Sequence, residues 1–306
     1  MGSVARNSIP SSTHCLQRVD GLPIDFEEAL LAHYPAMKLG VVASVDFYID
    51  KLATLSKQVM FDNADCKNWA ITAPPFITAP AAANLLCWKL YSNLQKSLSG
   101  KYNLSLVDLH YTSDPSGIKG ERDFKLGYEY SSNSVEERVK ERSRLKDNIN
   151  SHEKEFFDKG VLIVNDIRVT GTQQEFMHQS FQKVSPARLH WLYILEVDKQ
   201  LGAKHPQIEN QINSSSLQSL DEYQQVLSSD ETRYTARCIS RLFTHNQNQF
   251  RSLLTELNSD KQKLILKYAI GEKRFNGHYF DEKMSILQAM CESGEREMPG
   301  EKATTV

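Results

Sequence analysis

The chain carries almost no surplus charge: 36 Lys and Arg stand against 38 Asp and Glu, a formal net charge of -2. Such a balance leaves no electrostatic footprint for nucleic acid or for an acidic membrane surface. Cysteine is scarce and unpatterned. Cys15, Cys66, Cys87, Cys238 and Cys291 are odd in number and form no C-x-x-C pair, so neither a zinc site nor a disulfide framework is indicated. That usage suits a reducing compartment. Long apolar runs are missing as well. The richest stretch, around Ala70 to Leu90, is broken by Pro74, Pro75, Pro80, Asn84 and Lys89, which rules it out as a bilayer span. The segment Met1 to Ser8 lacks the apolar core of a secretory signal. A cytoplasmic protein is therefore expected. There is no H-E-x-x-H or other ligand spacing among the histidines, no G-x-S-x-G elbow, no G-x-G-x-x-G and no Walker A lysine. These gaps argue against zinc proteases, elbow-type serine hydrolases, dinucleotide enzymes and P-loop NTPases.

What is present is ordinary for a globular protein: 306 residues, 40% hydrophobic and 24% charged. A chain of that length buries a full core without staples, as one large domain with extensions or two modest ones. Residues 1–20 are polar and are expected to be loose. From Asp25 to Lys57 apolar residues recur at helical spacing, with Pro35 expected to separate two helices. Apolar strands are predicted over 69–73, 104–111, 161–164 and 190–197, with helices over 79–98 and 173–184. A long polar loop covers 112–132, and a charged helix is predicted over 134–150, with Ser134 and Glu137 at capping-box spacing. Strands alternating with helices predict an α/β fold with a doubly wound parallel sheet, its ligands at the carboxyl ends of the strands. Beyond Asp198 the periodicity is helical throughout. The predicted organisation is a loose 1–20, an α/β domain with a helical lead-in over 21–200, and a helical C-terminal region over 201–306.

The chemistry concentrates at Val161-Leu162-Ile163-Val164-Asn165-Asp166-Ile167-Arg168-Val169-Thr170-Gly171-Thr172-Gln173. Four apolar residues predict a strand buried on both faces, with polar groups arriving at its carboxyl end. Gly171 permits close approach of backbone N–H groups to an anion, Thr170 and Thr172 add hydroxyls, and the following helix points its positive end at the same place. A phosphate fits there. Asp166 is an acceptor suited to sugar hydroxyls or a hydrated Mg²⁺. The competing reading is a plain strand-to-helix turn in which Thr170 or Thr172 caps the helix.

This segment resembles the ribose-phosphate signature of type I phosphoribosyltransferases: hydrophobic residues, two acids, then a Thr/Ser-Gly-x-Thr loop. The resemblance covers roughly 69–198. The helix-forming run from Ser134 to Asn148, with its Arg and Asn residues, is similar to the ComF-like branch, and closest to a group associated with tellurite-resistance gene clusters. The resemblance implies binding of phosphoribosyl pyrophosphate, transfer of ribose phosphate to an acceptor that the sequence does not name, and Mg²⁺ as cofactor. Asp166 and Asn165 would then be the catalytic pair, with Asp166 reaching the metal indirectly. Arg168, Val169, Thr170, Gly171 and Thr172 would hold the 5′-phosphate. Ala73, Pro74, Pro75, Phe76, Ile77 and Thr78 would hold the pyrophosphate, unless they are only a Pro-stiffened turn packing Phe76. Lys119, Arg122 and Lys125 would lie on a flap, or simply on a solvated loop with Glu121 and Asp123. Asp198-Lys199 stands where relatives recognise the acceptor base. A homodimer is one assembly open to such a protein. Asn165 departs from the family pattern of two acids, which opens a second reading: a non-catalytic sensor or scaffold that keeps the phosphate loop.

Overall fold

A strand covered on both faces should be apolar at every position, and the run beginning at Val161 becomes the centre of a five-stranded, all-parallel sheet. The computed structural model describes residues 9–22, 28–110, 149–213, 215, 217, 219–272, 275 and 277–296. The strands are β1 (Ser11–Val19), β2 (Asn68–Thr72), β3 (Asn103–Val107), β4 (Gly160–Arg168) and β5 (Arg188–Val197), in the order β1-β5-β4-β2-β3. The helices are α1 (Glu28–Leu39), α2 (Val42–Asp62), α3 (Ala82–Leu98), the short α4 (Glu153–Phe156), α5 (Thr172–Phe181), α6 (Lys199–Lys204) and α7 (Ile208–Asn213). They continue with α8 (Leu220–Ser228), α9 (Ala236–Thr244), α10 (Gln247–Thr255), α11 (Ser259–Glu272) and α12 (Asp281–Arg296).

Alternate residues of each strand point to opposite faces, and the burial follows that rule. Trp69, Ile71, Leu162, Val164, Leu192 and Ile194 share one core with α1, α2 and α3. Ala70, Val161, Ile163, Leu189, Trp191 and Tyr193 share the other with Met177 and Phe181 of α5. A third core lies among the C-terminal helices and takes in Leu39 from the end of α1. The doubly wound expectation is thus met, and the described chain after Asp198 is helical as anticipated. No helix of the described residues is long and apolar enough to cross a membrane.

Three expectations are corrected. Residues 11–19 are not loose: they form the edge strand β1, paired in parallel register with β5 from Ser11↔Leu189 to Val19↔Val197. Their polar side chains concealed a segment whose backbone hydrogen bonds, with Leu16 and Cys15 packing to opposite faces, hold it in place. Pro35 does not separate two helices but sits inside α1. The break falls at Gly40, whose φ of +96° favours glycine and whose missing Cβ would lie 1.8 Å from the Arg233 carbonyl oxygen. The Arg233 amide in turn donates to the Gly40 carbonyl at 2.8 Å. Finally, β4 runs four residues past Val164. Asn165 pairs with Tyr193, Ile167 with Leu195 and Arg168 with Glu196, so the polar pair belongs to the strand and not to the loop after it.

The chain leaves β2 toward β3 on one side, then crosses to β4 on the other side of β2. Between the carboxyl ends of β2 and β4 the strand order reverses, which is where doubly wound folds open a ligand crevice.

Candidate functional site

Asn165 and Asp166 are 6% and 7% exposed, so every polar atom they carry needs a partner. The Asn165 amide nitrogen donates to Gln173 Oε1 at 3.0 Å, and its Oδ1 accepts from the Asp166 backbone amide at 2.9 Å. Asp166 Oδ1 accepts from the Ile167 amide at 2.8 Å. Past Arg168 the chain turns at Gly171, whose φ of +77° places it in the left-handed region and makes it the N-cap of α5. No N-cap side chain caps that helix. The Thr170 and Thr172 hydroxyls bond to each other at 2.9 Å, and Thr170 Oγ1 accepts from the Thr172 amide at 3.4 Å, a long bond at the first position of the helix. The Gln173 and Gln174 amides in the first turn have no helical acceptor, as at any helix start.

The turn opens into a cavity of about 230 Å³ lined from four directions. β4 and its turn supply Asn165 to Gln173, the segment after β2 supplies Pro74 and Pro75, and β5 supplies Tyr193. The fourth wall comes from distant helices: Lys38 at the end of α1, Glu209 in α7 and Arg237 in the first turn of α9. Both the helical lead-in and the C-terminal helices thus roof the crevice. Lys38 Nζ makes an ion pair with Asp166 Oδ2 and lies 3.2 Å from Glu209 Oε1. The three side chains are only 11%, 11% and 9% exposed, so the pair and its third member are screened little by water. Arg168 is bound to Glu196, which also faces Arg18 at 3.3 Å. Arg237 makes no ion pair among the described residues. Beneath Lys38, Tyr34 is wholly buried and its hydroxyl has no hydrogen-bond partner. Burial first, then the charges of Asp166 and Glu209, push its phenol well above the ordinary range.

The segment 73–79 is built differently. Pro74 and Pro75 have no N–H to offer. The Phe76 amide donates to the Leu109 carbonyl at 3.2 Å, and the Phe76 ring stacks near His110 and Trp88. The Thr78 and Ala79 amides both donate to Glu272 Oε1 of α11, at 3.1 and 2.9 Å. Buried Asn84 ties the turn together by donating to the Pro74 carbonyl at 3.0 Å and accepting from the Ala81 amide at 2.8 Å.

Of the residues singled out in the sequence, Asn165, Asp166, Arg168, Val169, Thr170, Gly171, Thr172, Pro74 and Pro75 meet around one cavity. Ala73, Phe76, Ile77 and Thr78 do not line it. Lys119, Arg122 and Lys125 lie outside the described residues, as does the charged segment 134–148. Asp198 does not line it either: its carboxylate caps α6, accepting from the Gln200 and Leu201 amides at 2.9 and 3.0 Å. Lys38, Glu209, Arg237 and Tyr34 were not anticipated. No local motif marks them, because each acts across a long sequence separation.

The side chains do not fit a divalent metal held by the protein. Asp166 is already paired with an ammonium, and Asn165 brings no charge. The acids lining the cavity, Asp166 and Glu209, are outnumbered by Lys38, Arg168 and Arg237. Among the described residues no group of three or more His, Cys, Asp or Glu side chains converges as a ligand set. The balance suits an anion.

No curated protein matches the chain. The family model described as PRTase (phosphoribosyltransferase) ComF-like matches residues 124–287, more than half of the chain. The match begins after β3 and takes in β4, the 169–172 turn, β5 and the C-terminal helices as far as α12, a span shifted toward the C-terminus of the one expected from the signature alone. The chain belongs to the ComF-like phosphoribosyltransferase family.

Proposed function

We propose that the crevice between β2 and β4 binds a phosphoribosyl pyrophosphate-type ligand and that the protein transfers the ribose phosphate to an acceptor. The observation that carries this reading is the start of α5 behind Gly171, whose Gln173 and Gln174 amides no N-cap side chain takes, facing a cavity at the point where the strand order reverses. The 5′-phosphate accepts from the amides of the 171–174 turn and from the Thr170 and Thr172 hydroxyls. Asp166 and Asn165 face the ribose. Loss of diphosphate leaves positive charge on the sugar ring, so the protein's work is to fix the geometry and stabilise charge at both ends of the breaking bond. Arg237 and Lys38 are the cations that face the departing diphosphate, and Asp166 is the anion on the sugar side. No side chain needs to act as a covalent nucleophile.

A second reading is favoured by two observations: Asn165 in place of an acid, and Asp166 held by Lys38. Under it the protein binds the same class of ligand without turnover and presents its helical C-terminal region to a partner. Titration of the full chain with phosphoribosyl pyrophosphate, followed by a pyrophosphate-release assay over candidate acceptors, separates the two. Binding with release supports the transferase, and binding with no release on any acceptor supports the sensor. If no heat is evolved, and the Thr170→Ala and Gly171→Val variants behave like wild type, both are wrong.

A further inference from the structure

Lys38 brings a positive charge from α1 into the phosphate cavity. Its ammonium lies between the carboxylates of Asp166 and Glu209, all three side chains are about nine-tenths buried, and all three line the same cavity as the phosphate turn. Arg237 adds a second cation on the same wall, while Arg168 is already matched by Glu196. A buried lysine is costly to hold unless it is paired, and here it is paired twice. Its stem continues from a helix whose Tyr34, one turn earlier, keeps a buried hydroxyl without a partner, close enough to Asp166, Glu209 and Arg237 to feel their charges. Arg237, on the wall of the same cavity, makes no ion pair among the described residues and is a further cation that a group rich in acceptor oxygens would meet.

We propose that Lys38 is a built-in cation that takes the place of Mg²⁺, so that this site binds the diphosphate of a phosphoribosyl ligand without a divalent metal. On binding, the ammonium turns from Asp166 and Glu209 to the diphosphate oxygens. The freed Asp166 then accepts from the ribose hydroxyls, while Arg237 donates to the anion. The proposal rests on the phosphoribosyl reading of the crevice.

The test is calorimetric titration of the full chain with phosphoribosyl pyrophosphate, once in excess chelator and once in Mg²⁺. Wild type should bind in chelator within about threefold of its affinity in Mg²⁺. Lys38→Met should bind about tenfold or more weakly in chelator, and Mg²⁺ should restore most of the loss, because the Asp166 carboxylate then lacks its ammonium partner. If wild type binds only in Mg²⁺, the proposal fails while the phosphoribosyl reading survives. If it binds in neither buffer, the reading itself fails. Should circular dichroism show Lys38→Met to be unfolded, Glu209→Gln decides. With one acid removed, Lys38 is released more easily and binding in chelator should tighten by about two- to fivefold; unchanged or weaker binding overturns the proposal.

Discussion

Two loops leave the carboxyl ends of neighbouring strands, β4 and β2, and face the same crevice, yet they treat their backbone donors in opposite ways. After β4, Gly171 turns the chain so that the Gln173 and Gln174 amides of α5 have no cap from the N-cap residue, and only the Thr172 amide finds a side-chain acceptor, Thr170 Oγ1. After β2, two prolines offer no donor, Phe76 is bound to Leu109, and Thr78 and Ala79 are both committed to Glu272. The second loop already holds an anion, and it belongs to the protein. Position at a strand end is therefore not enough to make an anion site. What matters is whether the fold leaves the donors uncommitted, and here a carboxylate from the last third of the chain has closed one of two otherwise similar openings.

Substitutions put that contrast to the test. The largest effect is expected from Gly171→Val. A Cβ at a φ of +77° is strained by about 1–2 kcal/mol, and it would meet the Arg168 guanidinium at 3.2 Å. Titration with phosphoribosyl pyrophosphate should show affinity falling about a hundredfold as the turn rearranges; full retention of binding would mean that the phosphate does not sit there. Glu272→Ala probes the other loop. It leaves two amides beside a buried residue without their acceptor, a loss of about 1–3 kcal/mol, read as a lower thermal midpoint with ligand affinity unchanged. Should that variant gain affinity for inorganic pyrophosphate, the closed loop is a masked anion site and the contrast becomes one of regulation. The smallest effect is expected from Thr170→Ala. It removes one hydroxyl and its bond to Thr172, worth about 0.5–1.5 kcal/mol, so affinity should fall a fewfold with the midpoint nearly constant.

The parts legible in the sequence were those whose cause is local. Val161–Val164 announced a central strand because burial on both faces requires an unbroken apolar run, and Thr170-Gly171-Thr172 announced its turn because few residues other than glycine accept that backbone. β1 was missed for the converse reason: an edge strand is held by backbone hydrogen bonds, so Ser11, Ser12 and Thr13 carry little apolar signal. Pro35 was given too much weight, since the interruption it suggested falls at Gly40, where a carbonyl of a distant segment presses on the chain. The roof of the site was invisible. Lys38 meets Asp166 across 128 residues and Glu209 across 171, and nothing near Lys38 or Glu209 in sequence distinguishes either from a solvated charge.

The parallel pairing of β1 with β5 has a consequence for how the molecule is made. Ser12 and His190, whose side chains bond at 2.7 Å across the two strands, are 178 residues apart. During translation β1 therefore has no strand partner until β5, the last of the five, has been synthesised. A contact of such separation is slow to form. The ribosome releases a chain whose β5 edge is briefly open, and closure of that edge by its own N-terminal segment is what keeps it from pairing with a neighbouring copy.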